Sequence, residues 1–424
     1  MSEPSLPHEA FIKSVLLTRY DIPLEIVTIT KPKLGQNNHV YMITLSQPTG
    51  EPTAKHGAVQ VLAHPIPKGT SRLVFRIPRA ESNLEDSIRI RNEVSLITLA
   101  RDALTDVGPS LVPRIYGWKD TDTDGTGATA ENLSYIIEEF VGGEAITGND
   151  LKGLDPETRA ALFKHIARVV KAFQTYSLPE GITGFGGVTF DDTGKMTSTK
   201  CVFGMGGPFS TYKEFLKGNI MWKLERSEAV SWLNGWREDK AADGRALRDR
   251  IDNFIANGLS ELLEKVPESK LTLIHGDLLL PNLHFDRPTN RLTGIIDFDF
   301  ARIGCPLSEF MDSFLHFQGL LVGMALDEGE RDLLLAGYKE YDGDAKYAIG
   351  HAWEAALAAE GVTRPSQIPN ADLVSNLWWF AEDLCEGFWE IPRLMASGFA
   401  KGREATLKAE AAERLEKYLV HWGC

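Results

Sequence analysis

Short apolar segments separated by turn-forming residues dominate the chain up to Gly142-Gly143. An amphipathic pattern predicts a helix at residues 8–19, and five later segments rich in β-branched and aromatic residues are typical of strands. Between the third and fourth strands, SIRIRNEVSLITLARDAL places apolar residues at helical spacing, with Glu93 on another side of the helix. We therefore predict an antiparallel sheet with one inserted helix; its five strands are VTITKPKLG, HVYMITL, RLVFRIP, VPRIYGW and LSYIIEEFV.

The pattern changes after the glycine pair, where helical periodicity takes over. ETRAALFKHIARVVKAFQTY and ALRDRIDNFIANGLSELLEKV each predict a helix, and FGGVTFDDTGKM between them predicts a small hairpin. The segments LTLIHGD, NLHFD and TGIIDFD predict short strands before a mostly helical tail. We interpret residues 1–141 as a sheet-rich lobe and residues 142–424 as a larger helical lobe. The cleft between two such lobes is a favoured place for a small-molecule site.

Composition narrows the classes of partner that we expect. The formal net charge of the 424 residues is −14, which argues against nucleic-acid binding because that binding needs clustered Lys and Arg. No apolar run reaches the roughly 18 residues of a membrane-spanning helix, and the N-terminal segment lacks the pattern of a secretory signal. The four cysteines form no C-x-x-C pair, which is typical of a reducing compartment. We expect a cytoplasmic protein that does not bind membranes.

The residues that carry chemistry lie in LIHGDLLLPNLHFD and in TGIIDFDFARIG. An aspartate beside a short strand, Asp277, and an asparagine five residues later, Asn282, let one loop present two oxygen atoms into one space. A second aspartate, Asp297, lies in the apolar run of the neighbouring hairpin and can meet them there. Because a lone buried carboxylate is costly without a partner, Asp297 is the hardest of the three to explain as structural.

Two carboxylates and an amide carbonyl suit Mg²⁺, which prefers hard oxygen ligands and retains waters that phosphate oxygens can replace. Phosphoryl transfer needs such a metal and a group that orients the attacking hydroxyl. We therefore expect Asp277 to accept the proton of the acceptor hydroxyl, Asn282 and Asp297 to hold Mg²⁺, and His275 to support the loop. Taken singly, His275 is also explained by packing, and Asp277 and Asn282 by capping or turn chemistry.

The pair of motifs H-G-D-x-x-x-x-N and I-I-D-F-D resembles the catalytic and metal-binding signatures of the aminoglycoside phosphotransferase and choline-kinase-like family. These enzymes are small-molecule relatives of the protein kinases. The resemblance extends from about Ile26 to the early 300s. It implies an α+β, bilobal, protein-kinase-like fold and transfer of the γ-phosphate of ATP, with GTP as the alternative donor, to a hydroxyl group of a small molecule.

The resemblance also assigns residues of the first lobe to the nucleotide. LGQNNHVYM, which contains Asn38, lies where the family has its phosphate-covering hairpin. Arg76 occupies the position of the usual phosphate-binding lysine, with Glu93 as its helix partner, although Arg and Lys differ in geometry. A surface strand residue is the alternative explanation for Arg76. In IIEEFVGG, backbone groups from Glu139 to Val141 would hydrogen-bond a purine.

One departure from the family follows the second motif. Where many relatives read G-D-P-x-x-D-L, this chain has GCPLSEF, with Cys305 and Glu309 at the two acidic positions. We expect Glu309 to serve as an acceptor that anchors the loop, a role that Cys305 cannot fill.

The phosphate acceptor must be bound by the helical lobe, where the resemblance is least informative. In NLWWFAEDLCEGFWEIP, a helix would place Trp378, Glu382, Cys385 and Trp389 near one face, with Glu386 beside them. Aromatic rings and carboxylates suit an amine or a quaternary ammonium, so a cationic acceptor is one hypothesis. A helix that packs its tryptophans into the core is the other explanation.

Two further classes of protein compete with a small-molecule kinase. A nucleotide-binding or regulatory protein without catalysis would account for Arg76, Cys305 and Glu309, although it has no need for Asp277. A protein kinase lacks support, because no A-P-E segment is present and ARIGCPLSEF leads straight into a predicted helix. The motifs of a metallophosphatase and of a Walker-type NTPase are also missing. The sequence leaves the oligomeric state open.

Overall fold

The computed structural model describes residues 6–32, 35–51, 60–120, 133–239 and 244–424. The long connection expected between Ser46 and Ser71 lies partly outside these residues. Within the described residues, no helix is both long enough and apolar enough to cross a bilayer.

The first part of the chain forms the predicted five-stranded antiparallel sheet, in the order β1-β2-β3-β5-β4. An N-terminal helix precedes the sheet and a second helix is inserted between the third and fourth strands, as predicted. The elements are α1 (Leu6–Tyr20), β1 (Val27–Thr30), β2 (Asn38–Leu45), β3 (Arg72–Pro78), α2 (Asp86–Ala103), β4 (Ile115–Lys119) and β5 (Tyr135–Glu139).

The two faces of this sheet have different partners because side chains alternate along a strand. One face packs against α1, where Phe11 and Ile12 contact a core that includes Tyr41, Phe75 and Ile137. The other face carries the polar residues of the strands. Asn38, Arg76 and Glu138 have the parity of this second face, on which α2 lies. The alternation therefore directs these three polar side chains towards α2 and the junction with the rest of the chain.

The remainder of the chain is mostly helical, with short two- and three-stranded sheets near the junction. Its helices begin with local caps where the sequence provides them, for example Asp155 before α4 and the Thr211/Glu214 capping box of α5. The elements are β6 (Glu144–Ala145), α3 (Gly148–Gly153), α4 (Pro156–Thr175), β7 (Gly187–Phe190), β8 (Met196–Thr199), α5 (Tyr212–Ala229), α6 (Leu247–Asn253), α7 (Leu259–Glu264), β9 (Thr272–Ile274), β10 (Leu283–Asp286), β11 (Arg291–Ile295), β12 (Arg302–Gly304), α8 (Ser308–Asp312), α9 (Arg331–Ala336), α10 (Ala348–Ala359), α11 (Ala371–Leu384), α12 (Pro392–Met395) and α13 (Glu404–His421).

Three details differ from the sequence-based expectations. The single helix predicted for ALRDRIDNFIANGLSELLEKV is interrupted by a π-helical turn at Phe254–Gly258. The segment ARIGCPLSEF does not lead straight into a helix, because β12 first pairs with β9. The helix predicted through Trp389 ends at Leu384, since Cys385 is extended and cannot continue the helical hydrogen-bond pattern. The α+β, bilobal fold class is nevertheless confirmed.

Candidate active site

The loop between β9 and β10, residues 275–282, carries the first motif. A carboxylate of α8 holds the start of this loop. The Glu309 carboxylate accepts the backbone N–H groups of His275 and Gly276, at 2.8 and 3.0 Å. Gly276 has φ +77°, and a Cβ atom there would lie 2.7 Å from the carbonyl oxygen of Phe300. Only glycine fits this close approach. Glu309 therefore anchors the loop, the role expected of it at a position where relatives carry an aspartate.

His275 is fully buried and contacts backbone atoms on both sides of its ring. Its Nδ1 accepts the N–H of Asp277 at 3.2 Å, and its Nε2 lies 3.2 Å from the carbonyl oxygen of Ile296. A neutral ring protonated at Nε2 satisfies both contacts. Burial lowers the pKa of His275 to about 4, although the hydrogen bond to Ile296 works in the opposite direction. His275 thus ties the loop of the first motif to the segment of the second.

The side chains of Asp277 and Asn282 are joined within this loop. The Asn282 amide nitrogen donates to the Asp277 carboxylate at 2.6 Å and to the Asp277 backbone carbonyl at 3.0 Å. Because the nitrogen of this amide faces Asp277, the amide oxygen is directed away from that carboxylate. One loop therefore presents a carboxylate and an amide oxygen, as the five-residue spacing predicts.

Asp297 follows β11 and is brought to the same place by the backbone. The N–H of Ile296 donates to the carbonyl oxygen of Asn282 at 3.0 Å. Asp297 itself has φ +67°, a left-handed conformation that aspartate tolerates better than most residues. Its side chain retains 36% of its exposed surface, so it is accessible at the junction of the lobes.

The carboxylate of Asp297 is close enough to affect the ionisation of Asp277. Burial, as the largest cause, and the charge of Asp297 raise the pKa of Asp277 to about 8, against the opposing effect of the hydrogen bond from Asn282. Burial and the charge of Asp299 also raise the pKa of Asp297, against the attraction of Arg76. The structure thus brings Asp277, Asn282 and Asp297 together at one place.

Arg76 is buried and lies at the centre of a group of carboxylates at this junction, of which Asp297 is the most exposed. Its guanidinium contacts Glu93 of α2 and lies 3.7 Å from Glu138 of β5, 3.2 Å from Asp297 and 3.0 Å from Asp299. We call these five residues the seam cluster. The predicted pairing of Arg76 with Glu93 is present, and Arg76 is buried, so it is not a surface strand residue.

Asp299 and its partner Arg89 were not singled out in the sequence. Burial alone would raise the pKa of Asp299, but Arg76, Arg89 and Asn38 together bring it below its usual range. The signal that could have found Asp299 is the second acidic residue in the apolar run IIDFDF, at the place where a protein kinase has the glycine of D-F-G.

Asn38 begins β2 and makes its contacts inside the protein. Its amide nitrogen donates to both carboxylate oxygens of Asp299, at 3.0 and 2.9 Å, and its amide oxygen accepts from Arg89 at 3.0 Å. The structure therefore places Asn38 at the junction of the lobes, with both ends of its side chain engaged by protein groups.

The segment predicted to contact a purine, Glu139 to Val141, follows the last residues of β5. The N–H of Glu139 donates to the carbonyl oxygen of Arg114 at 2.8 Å. The backbone of Val141 lies beside the ring of His284 in β10. The N–H of Glu139 is thus engaged within the protein, and contact of this segment with a purine stays a prediction.

The donor set at the junction fits a magnesium ion. Among the residues that the structure describes, no group of three or more His, Cys, Asp and Glu side chains has the arrangement of a metal site. Asp297 and Asn282 could hold such an ion as two protein ligands, because Mg²⁺ is usually bound by one or two protein oxygens together with water and phosphate oxygens. Both are oxygen ligands, and Asp297 has accessible surface.

The cation-binding face predicted for the acceptor is not formed. Trp378 is buried and stacks against Phe215, with the guanidinium of Arg302 5.5 Å from its ring. Trp389 lies beyond the end of α11 and packs against Trp232. Cys385 and Trp389 are buried as well. The carboxylate of Glu382 pairs with Lys223 at 2.8 Å. These aromatic residues belong to the core because packing them there removes a large apolar area from water.

Comparisons with known proteins agree with this architecture. The model of the phosphotransferase enzyme family, known as APH, matches residues 66–353, which is more than half of the chain. The chain therefore belongs to the phosphotransferase enzyme family, whose members include small-molecule kinases. A comparison with curated protein sequences gave no significant match.

Several solved structures resemble the chain at low sequence identity. A putative aminoglycoside phosphotransferase from Ralstonia eutropha is 15% identical, covers 97% of this chain and 98% of its own, and gives a TM-score of 0.51. The streptomycin–ATP ternary complex of APH(2'')-IIa is 14% identical, with 94% and 97% covered and a TM-score of 0.45. A choline kinase from Cryptosporidium parvum is 14% identical, with 97% and 94% covered and a TM-score of 0.44. The first of these supports the shared fold.

Proposed function

We propose that this protein is an ATP-dependent kinase that phosphorylates a hydroxyl group of a small molecule with the help of Mg²⁺. The observation that carries the proposal is the convergence of Asp277, Asn282 and Asp297 between the lobes. Membership of the phosphotransferase enzyme family supports the same class of reaction. GTP is the alternative phosphate donor.

Asp277 has the position and the basicity for the acceptor hydroxyl. In the proposed reaction, the hydroxyl oxygen forms a bond to the γ-phosphorus, the bond from that phosphorus to the bridging oxygen breaks, and ADP leaves. The proton of the hydroxyl passes to the carboxylate of Asp277. A raised pKa makes this carboxylate a stronger base than a solvent-exposed aspartate, and the hydrogen bond from Asn282 fixes its orientation.

Asn282 and Asp297 would hold the metal ion through their side-chain oxygens. Mg²⁺ held by these two residues would neutralise negative charge that develops on the phosphates during transfer. His275 would act only by position, because its ring contacts the backbone of Asp277 and of Ile296. Arg76 would approach the phosphates, with Glu93 as its partner, and Asn38 and the segment from Glu139 to Val141 would border the nucleotide.

The acceptor is proposed only as a small molecule with a hydroxyl group. Glu382, the carboxylate that one of the two hypotheses assigned to a cationic acceptor, pairs with Lys223, so the geometry gives no support to a cationic acceptor at that face. The cytoplasmic location and the division of the chain at residues 141 and 142 stay predictions.

A transfer assay tests the proposal. The wild-type protein, ATP and Mg²⁺ are incubated with a library of hydroxyl compounds that includes amino-alcohols, aminoglycosides, sugars and nucleosides, and phosphorylated products are identified by mass spectrometry. We expect at least one product that requires Mg²⁺ and disappears in Asp277→Asn. Product formation at the wild-type rate in Asp277→Asn and in Asp297→Asn would contradict the proposal.

A catalytically inactive nucleotide-binding protein is the second candidate function. The replacement of the usual lysine by Arg76, whose guanidinium is shared among four carboxylates, favours it. Such a protein would bind Mg²⁺–ATP with the same affinity in Asp277→Asn as in the wild type and would consume no ATP with any acceptor.

A further inference from the structure

Asp299 makes contacts with three separate elements of the sheet-rich lobe. Its carboxylate accepts from Asn38 of β2 at 2.9 and 3.0 Å and from Arg76 of β3 at 3.0 Å. It also lies 3.7 Å from the guanidinium of Arg89 in α2. The side chain of Asp299 is only 2% exposed. One buried carboxylate therefore joins two strands and the inserted helix of one lobe to a loop of the other.

The loop that carries Asp299 also carries the proposed metal ligand Asp297, two residues earlier. The Nη2 atom of Arg76 contacts one oxygen of each aspartate, at 3.2 Å for Asp297 and 3.0 Å for Asp299. Because Nη2 carries two hydrogens, it can donate one to each carboxylate. Asp299 can therefore remain a partner of Arg76 when Asp297 binds another cation in place of the arginine.

The contacts of Asn38 extend this connection to the start of β2. Arg89 donates to the side-chain oxygen of Asn38 at 3.0 Å and to the carbonyl oxygen of Asn37 at 2.8 Å, so the same arginine holds both the strand and its entry. No other residue of the helical lobe has a hydrogen bond to Asn38 among the bonds found in the described residues. Arg393 of α12 also contacts the chain before β2, at the side-chain and backbone oxygens of Gln36, so Asp299 is the residue that connects Asn38 itself to the loop bearing Asp297.

We propose that Asp299 is a positioning residue that fixes Arg76 and the start of β2 relative to the loop bearing Asp297. It acts in two ways: it holds the two lobes together at the seam, and it leaves Asp297 available to the metal by occupying Arg76. The structural half of this proposal stands alone, whereas the consequence for Mg²⁺ and nucleotide rests on the proposed function.

Hydrogen exchange of the nucleotide-free protein tests the structural half. We expect Asp299→Asn to speed amide exchange in Asn38–Leu45 and Arg72–Pro78 by at least about 10-fold, because the ionic contacts with Arg76 and Arg89 are lost. Asn38→Ala breaks the same connection from the other lobe and should accelerate exchange in Asn38–Leu45, which guards against a variant that fails to fold.

Asp383→Asn is the matched control. Asp383 is also a buried aspartate, but its ion pair with Arg414, at 2.7 Å, joins α11 and α13 within the helical lobe. We expect this variant to leave exchange in β2 and β3 unchanged. Wild-type exchange in both Asp299→Asn and Asn38→Ala would overturn the proposal, and so would equal acceleration in the control.

Binding of a non-hydrolysable ATP analogue at several Mg²⁺ concentrations tests the second half. We expect Asp299→Asn to need about 10-fold more Mg²⁺ for half-saturation, because Arg76 then competes with the metal for Asp297, and Asp383→Asn to match the wild type. An unchanged Mg²⁺ requirement would overturn the positioning role. Absence of analogue binding by the wild-type protein would instead overturn the proposed function, and the exchange experiment would still decide whether Asp299 connects the lobes.

Discussion

The seam cluster and the ion pairs of the helical lobe are both built from acidic and basic side chains, but they differ in the ratio of carboxylates to cations. In the seam cluster, four carboxylates share Arg76, and Arg89 approaches one of them. In the helical lobe, several buried or half-buried carboxylates each have their own cation: Glu382 pairs with Lys223, Asp383 with Arg414 and Glu390 with Arg226.

This difference in the ratio of carboxylates to cations distinguishes the seam cluster, which we propose as part of the active site, from ion pairs that only stabilise the fold. Buried charges that are paired one to one satisfy each other and need no further partner. A surplus of carboxylates in a partly exposed junction has no such balance and attracts another cation. Near Trp378, by contrast, Glu382 and Asp383 each already have a cationic partner within the protein.

Removal of the proposed base, Asp277, should have the largest effect of the changes considered, a loss of phosphoryl-transfer activity. We expect Asp277→Asn to slow phosphoryl transfer by about 1,000-fold, because the amide cannot accept the hydroxyl proton. Binding of Mg²⁺–nucleotide should persist. Asp286→Asn, which alters an exposed carboxylate of β10 that contacts Thr289, is the control and should retain full activity. Equal rates in the two variants would remove Asp277 from the mechanism.

Protonation of His275 at low pH should lower the free energy of unfolding of the protein. The pKa of His275 is about 4 in the folded protein and 6.5 ordinarily, so the unfolded chain takes up the proton first as the pH falls. Its contribution to stability is complete above about pH 6.5 and is lost progressively down to about pH 4, by about 3 kcal/mol. Urea unfolding at several pH values should show a shallower pH dependence in His275→Asn; an identical dependence would contradict the prediction.

Replacement of a carboxylate of the seam cluster should weaken Mg²⁺–nucleotide binding more than it changes the unfolding temperature. We expect Asp297→Asn to weaken Mg²⁺–nucleotide binding roughly 30-fold, or about 2 kcal/mol, because a metal ligand and a charge are lost. The nucleotide-free protein should unfold at the same or higher temperature, since burial and Asp299 disfavour the ionised form of Asp297. Calorimetric titration and thermal unfolding measure the two quantities, and a large loss of stability would show that this carboxylate is a structural partner.

The opposite pattern is expected for a carboxylate of the helical lobe. Asp383→Asn should lower the free energy of unfolding by about 1 kcal/mol, because Arg414 loses its charged partner but retains a hydrogen-bond acceptor. The effect is modest since burial already raises the pKa of Asp383 to about 7 in spite of Arg414. Nucleotide binding should be unchanged. Weaker binding in this variant would erase the distinction between the two regions.

Several features of the fold and the site could be predicted because they depend on neighbours along the chain. The pattern of apolar residues predicted the five strands. Helical spacing predicted α2, α4 and the segment that forms α6 and α7. The five-residue spacing of Asp277 and Asn282 predicted that one loop would present both, and they are joined at 2.6 Å. The anchoring role of Glu309 followed from its place in the family motif.

Other features could not be predicted because burial decides them. The segment of α11 shows aromatic and acidic residues at suitable spacing, yet the helix stops at Leu384 and its tryptophans pack in the core. Periodicity cannot distinguish an apolar face that meets a ligand from one that meets the protein. The π-helical turn at Phe254–Gly258 is likewise absent from the pattern.

The sequence by itself determined the order of the elements, the family and the three oxygen-bearing side chains of the proposed site, because periodicity and motif spacing are local properties. Only the tertiary structure decided what those side chains meet. Asp299 and Asn38 are 261 positions apart, and Arg76 and Asp297 are 221 positions apart, yet each pair is in contact. No local pattern encodes such contacts, since they arise when the two lobes pack against each other and bury their polar residues together.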